Sequence, residues 1–296
     1  MMEFLLQQVL NAVSLGGIYA LLALGLAVVF SIVALINFAH GELMTVAGYV
    51  LFVCILYAVP LPIAVVAAVV AAAAAAAATE RLAFRPMRRA DPTSLMLTSF
   101  AVSAILKVLF QNGISARPKP VPLPPELSGT LTLGPVRLGT VPLASILVTC
   151  LSLVALTFFL KRTVMGKAMR AAAEDFQVLR LMGIRANRVI ATAFALSGML
   201  AGISAALWVA QRGSVDPLMG FVPVLKAFVA SVIGGLGSLS GAVAGGFALG
   251  IAEVLFQAYL PDAALPFRDA FVLGFVILIL LWRPDGLIPA KTGRRS

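Results

Sequence analysis

Stretches of about twenty residues, apolar on every face, recur along this chain, and that length matches the hydrocarbon core of a bilayer. They lack the two-residue alternation of a membrane barrel, so the spans are helical. Composition agrees. Of the 296 residues 61% are hydrophobic and 11% charged, whereas soluble domains carry about 25% charged residues. A soluble core cannot absorb so much apolar side chain, so the class implied is an all-α integral membrane protein, a polytopic bundle. It reads as one transmembrane domain over 1–296: a first helix group over 1–160, a polar loop over 161–188 and a second group over 189–296.

The first spans are predicted at about Val9–Ile36, Met44–Ala58, Ile63–Thr79, Ser94–Phe110 and Leu143–Leu160. Further spans follow at about Val189–Ala210, Gly241–Leu260 and Phe271–Trp282. The stretch Phe221–Ile233 is short, either a thin span or a half-helix that re-enters the membrane. This gives eight to nine transmembrane helices. The N-terminus has no positive region and no cleavage site, and reads as the start of the first span. Small residues mark close packing: the alanine run Ala71–Ala78, Gly198 with Gly202, Gly241 with Gly245, and Gly246 with Gly250. Cys54 and Cys150 fall inside spans and read as buried small apolar residues, with neither disulfide nor metal implied. The segment Gln111–Pro142, with seven prolines, predicts an extended or hairpin-like external loop.

The net charge is +10. The basic residues cluster at span ends, which fits topology and anionic lipid rather than nucleic acid. Lys and Arg number four in Glu80–Pro92, seven in Lys161–Arg188 and four from Arg283 onward, among them Lys291, Arg294 and Arg295. The first eight residues have none, and the proline-rich loop has three. Basic loops belong on the cytoplasmic side. Nine crossings with the N-terminus outside and the C-terminus inside satisfy that rule; eight would strand the tail.

Catalytic patterns are missing. Gly166-Lys167 is followed by Ala168 and is no Walker A motif, and GLGSLSG misses the dinucleotide-binding spacing. A single histidine cannot build a zinc cage, so no cofactor, no metal and no enzyme activity are expected. Three polar features remain. NFAHGELM sets Asn37, His40 and Glu42 between two spans, either as a solvated corner or as the lining of a water-filled path. Gly234, Gly235, Gly237 and Ser238 lie in a glycine-serine knot that breaks a helix, since each interior glycine costs about 1 kcal/mol relative to alanine. The third is Lys161–Arg188. Its AAAEDFQVLRLMGI reads as a short helix over Ala172–Ile184, with Ala172, Ala173, Glu174 and Asp175 first, then Leu179, Leu181, Met182 and Ile184, and with Gly183 ending it. Either it is a topology-setting linker, or it docks into a groove on another protein. Lys107, near its span's end, is expected to snorkel, and Glu253, deeper, to face protein.

At these residues the sequence resembles the permeases of branched-chain amino acid ABC importers, nearest the LivH-type half of the pair. NFAHGELM, the loop Gly166…Ala173-Glu174-Asp175…Met182-Gly183-Ile184 and GGLGSLSGAVAGG carry the likeness, in order and over nearly the whole chain. The resemblance implies a type II importer-like fold in a bacterial inner membrane. It implies a LivM-type partner permease, two cytoplasmic ATPase subunits and a periplasmic substrate-binding protein. Ala172–Ile184 then matches the coupling helix seated in the ATPase groove, although Ala173-Glu174-Asp175 stands where other importers carry their EAA consensus. The substrate implied is leucine, isoleucine or valine, with urea, amides or other amino acids as alternatives in the same family. An ion-coupled carrier working alone is the rival class, with Glu253 as its deep carboxylate.

Overall fold

The computed structural model describes residues 2–88, 90–122, 129–133 and 136–289. Arg89, part of the proline-rich loop and the basic tail with Lys291, Arg294 and Arg295 lie outside the described residues. The chain is mostly helical. Long helices α1 (Met2–Val33), α3 (Leu61–Thr79), α4 (Pro92–Gly113) and α5 (Thr140–Arg162) are interrupted by a shorter α2 (His40–Leu56). After α5 come two small helices, α6 (Val164–Glu174) and α7 (Phe176–Leu181), then α8 (Ala186–Arg212), a short α9 (Phe221–Gly234), α10 (Leu239–Tyr259) and α11 (Arg268–Trp282). Among the described residues seven segments are long and apolar enough to cross a membrane, and α2 and α9 fall short of that length. The chain is a multi-pass membrane protein.

The centre of the bundle is α1, which packs on α5, α8, α9 and α10. Its crossing with α10 is a meeting of backbones. A Cβ on Gly246 would strike the backbone of Ala20, and one on Gly250 would strike Gly16. The four-residue spacing on each helix thus faces the same spacing on the other, so the axes approach as only small residues allow. The crossing of α3 and α8 repeats the device. Ala64, Ala68, Ala72 and Ala76 are fully buried, and Gly198 and Gly202 of α8 lie against Ala72, Ala76 and Val69. The alanine run therefore acts through one face in four, while Val66 and Val70 on the opposite face are exposed.

Helix ends follow local chemistry. Asp91 caps α4, accepting from the backbone N–H of Ser94 at 3.1 Å and from its hydroxyl at 2.7 Å. Those bonds hold the Asp91 carboxyl below its ordinary range. Thr163 caps α6 through Gly166 N–H at 2.9 Å, and Gly213, at φ +66°, closes α8 in the left-handed conformation. The proline-rich loop is hairpin-like where described: β2 (Thr130–Leu133) pairs with β3 (Val136–Gly139), and β1 (Lys119–Pro120) pairs with β4 (Ser214–Val215).

Three expectations are corrected. The polar loop holds two helices rather than one over Ala172–Ile184, because Asp175 adopts an extended backbone (φ −150°, ψ 106°) and parts α6 from α7. The helical part begins earlier, at Val164, and Gly183, at φ +76°, turns the chain after α7. The cysteines are free but not buried: Cys54 is half-buried, and Cys150 faces outward from α5.

Candidate functional site

Two helices begin inside the protein. His40, the first residue of α2, lies against Gly25 of α1 and bonds Ser197 of α8 at 3.0 Å. Gly25 is eight residues from the end of α1 and Ser197 eleven from the start of α8, which sets His40 about 12 to 17 Å within the bundle. Residues 34–39 return the chain from α1 to that depth without helix, a turn that Ala34 enters at φ +54°. The start of α9 lies at the same depth, for a Cβ on Gly41 or on Gly220 would strike the backbone of the other. So α2 and α9 meet end to end, and their N-terminal N–H groups converge within the membrane region.

NFAHGELM is therefore not a solvated corner. Asn37, His40 and Glu42 are all buried. Asn37 Oδ1 accepts from Ala39 N–H at 3.1 Å, and its carbonyl accepts from His40 N–H at 3.2 Å, which closes the turn that starts α2. His40 ties that turn to α8 through Ser197. These two side chains build the junction, although His40 Nε2, like one oxygen of Glu42, is buried without a hydrogen-bond partner, and Glu42 is the acidic member of the group. Its Oε1 accepts from Ser103 Oγ at 3.1 Å and lies 3.6 Å from Lys107 Nζ. Its Oε2 is buried with no hydrogen-bond partner.

Lys107 does not simply reach for the membrane surface. Its ammonium sits 4.2 Å from the ring centroid of Phe221, the first residue of α9. Ser99, Ser103 and Lys107 recur every four residues on α4, and Ser99 receives the Phe38 N–H at 3.3 Å. One face of α4 thus carries polar groups against α2. Glu42 and Tyr49, seven apart on α2, share a helix face, and the buried Tyr49 hydroxyl also has no partner. Beside this line Phe38 stacks on Phe100 at 4.3 Å and tilts against Phe228 at 5.7 Å. Phe100 and Phe221 are exposed. The serine stripe of α4 was the missed signal: a four-residue polar repeat ending in a lysine, in an otherwise apolar helix.

The glycine-serine break lies elsewhere. Gly234 lies thirteen positions after Phe221 along α9, about 20 Å at helical rise. Gly234 ends α9, Gly235 (φ +110°) and Gly237 (φ +82°) make the turn, and Ser238 caps α10 through Gly241 N–H at 3.0 Å. Protein meets the carbonyls freed there: Leu287 N–H donates to Ile233 at 2.7 Å and Ile288 N–H to Gly234 at 3.0 Å. Asn37, His40 and Glu42 form one group, and Gly234 to Ser238 form another at a different depth.

Glu253 faces protein, as expected. Its Oε1 pairs with Lys226 at 2.7 Å and Arg268 at 3.2 Å, and its Oε2 accepts from Tyr19 at 2.8 Å. At the end of the bundle nearby, a cleft of about 630 Å³ is lined by Gln8, Asn11, Ser14, Gln211 and Gln257. In the polar loop, Ala172 and Leu179 are buried, whereas Ala173, Glu174, Asp175, Leu181, Met182 and Gly183 are exposed and Ile184 is half-buried. Leu181 and Met182 put apolar side chains at an outward tip, 86% and 71% exposed. Among the described residues no group of His, Cys, Asp and Glu could hold a metal ion.

The family described as branched-chain amino acid transport system / permease component matches residues 8–281. The high-affinity branched-chain amino acid transport system permease protein BraD of Pseudomonas aeruginosa is 34% identical, over 96% of this chain and 95% of that protein. The corresponding LivH of Escherichia coli strain K12 is 35% identical, over 96% of each. The permease protein LivM of the same organism is 27% identical, over 92% of this chain and 68% of that protein. The solved structure titled PsaBC from Streptococcus pneumoniae in complex with Fab aligns with TM-score 0.53 at 13% identity, covering 93% of this chain and 91% of that one. That last likeness is one of fold alone.

Proposed function

The chain belongs to the branched-chain amino acid transport system permease family, and from that premise we propose that it carries leucine, isoleucine and valine inward across a bacterial inner membrane. It is a transmembrane permease subunit of an ABC importer. The observation that carries the substrate reading is the full-length likeness to BraD and LivH.

Its partners are a LivM-type permease, two cytoplasmic ATPase subunits and a periplasmic substrate-binding protein. The chain crosses nine times, with α2 and its extended lead over 34–39, and α9 with its lead over 213–220, each completing a crossing that is part helix and part extended chain. The N-terminus is periplasmic and the C-terminus cytoplasmic, because that orientation gathers the basic loops on the cytoplasmic side. The domain is single, and ATP is hydrolysed by the partners. In support, Gly166 lies inside α6 against the Leu160 backbone rather than in a phosphate-binding loop.

The coupling element is the α6–α7 pair with its turn, Ala172 to Ile184. The buried face of α6, with Gly166, Ala168, Met169 and Ala172, holds the pair to the bundle. The exposed Leu181 and Met182 then enter a groove on the ATPase. The translocation route runs along the α2–α4 line past Glu42, where Asn37 and His40 hold the helix junction. The Gly234–Ser238 turn, latched by residues 287 and 288, is where α9 and α10 hinge toward the cytoplasmic exit.

The test is leucine uptake by vesicles holding this chain with its three kinds of partner. L181E/M182E changes two exposed side chains and leaves folding stability within about 0.5 kcal/mol, but strips the ATPase from the purified complex and abolishes uptake. Retention of both would make the loop a linker. No amino acid uptake by the unaltered complex would end the substrate reading.

A further inference from the structure

We infer that Glu42 and Lys107 form a holding point for a zwitterion in transit: the solute's carboxylate takes Lys107, its ammonium takes the unpaired Oε2 of Glu42, and its apolar side chain lies on the Phe38–Phe100 surface. This rests on the amino acid importer reading and gives that route a chemistry.

The first ground is incomplete pairing. A buried carboxylate is costly unless its lone pairs are used. Glu42 is 1% exposed, yet only Oε1 is engaged. The ammonium nearest it stands at 3.6 Å, beyond a direct charge-assisted bond. A cation that could satisfy Glu42 instead shares itself with the ring of Phe221.

The second ground is access. Lys107, 3.6 Å from the buried Glu42, has a side chain 20% exposed. Its flexible stem can swing with little cost in packing, since α4 packs far less closely on α2 than α3 does. Moving it uncovers Glu42 from the side on which Phe100 and Phe221 are already exposed.

The third ground is charge balance. The pair is neutral closed, and a zwitterion inserted between its members keeps it neutral. An anion or a cation alone would leave one buried charge unmatched, which a low-dielectric site penalises heavily. The N-terminal ends of α2 and α9 meet beside it, and their positive potential favours the ionised form of Glu42, in the first turn of α2. The aromatic wall offers nothing polar to a solute's side chain, so it favours an aliphatic one.

The experiment uses the assembled complex in vesicles with cysteine-free background C54A/C150A. K107C is inactive in leucine uptake by roughly tenfold or more. Aminoethyl methanethiosulfonate, which restores a cation at that position, recovers uptake; the sulfonatoethyl reagent does not. Leucine supplied on its binding protein slows labelling of K107C during turnover. E42Q, near in shape, lowers uptake by a similar factor while the complex still purifies whole. Uptake by K107C unchanged before labelling overturns the inference, as does equal recovery with both reagents. Loss of assembly in both E42Q and K107C also overturns it, since the pair is then structural. If the unaltered complex carries a zwitterion other than a branched-chain one, the holding point stands and the substrate reading falls; if it carries an uncharged solute, both fall.

Discussion

Two buried glutamates, Glu42 and Glu253, use their oxygens differently. Glu253 is saturated: Tyr19, Lys226 and Arg268 take up both oxygens, and they bring together α1, α9, α10 and α11. Glu42 has one oxygen bonded to Ser103, a lysine at 3.6 Å and one oxygen free. The surroundings match the difference. Around Glu253, α1 and α10 touch backbone to backbone through Gly16, Ala20, Gly246 and Gly250. Around Glu42, α4 rests on α2 through a line of serines and aromatic rings. A completed network fixes helices in one arrangement, while an incomplete one leaves interaction energy for a group that comes and goes. The first side reads as a frame and the second as the part that works against it.

The largest effect expected is at the frame. E253A removes the buried anion from Lys226 and Arg268, whose side chains are 16% and 29% exposed, and leaves them the exposed Asp269 at 3.3 and 3.6 Å. Breaking a buried pair by deleting one partner costs about 3 to 5 kcal/mol. The complex should melt far lower in detergent, and uptake should fall with protein yield rather than per assembled complex. Normal melting with lost uptake would mean that Glu253 serves transport directly, as a cation-coupled carrier would require.

A smaller effect is expected at the helix crossing beside it. G250A places a methyl where Gly16 backbone now lies, and overpacking a tight contact costs about 1 to 3 kcal/mol. G113A, at the open end of α4 with nothing near its Cβ position, should be neutral in the same melting assay. Equal tolerance at both sites would show that the α1–α10 crossing is not the rigid half of the molecule.

The frame was far more legible in the sequence than the working side. Glycines four apart announce a crossing because the reason is local: a missing Cβ at helical spacing. The alanine run announced close packing for the same reason, though not which of its faces packs. NFAHGELM was legible as special but not as buried, because its partners come from distant segments. Ser197 is 157 residues from His40, and Ser103 is 61 from Glu42. Nothing within the motif tells a solvated corner from a helix that starts inside a bundle. Lys107 looked like a snorkelling lysine for the same reason, since its partners on α2 and α9 appear only in the fold. The break at Asp175 was hidden by a run of good helix formers, Ala171 to Ala173, that continues the pattern to its edge.

The smallest effect is the sharpest on the comparison. Y19F deletes the hydroxyl that donates to Glu253 Oε2 at 2.8 Å and leaves Lys226 and Arg268 in place. It gives Glu253 what Glu42 has, one engaged oxygen and one free. Losing a hydrogen bond to a charged group costs about 1.5 kcal/mol, so melting should fall modestly. If free capacity matters only where a solute can reach it, leucine uptake per complex stays unchanged, because Glu253 remains enclosed by α1, α9 and α10. If uptake instead falls as it does in E42Q, the two carboxylates belong to one coupled system, and the division between frame and working side is wrong. The same measurement on Y19F/E42Q then separates the cases: additive losses mean independent sites, and a double variant no worse than E42Q means one route through both.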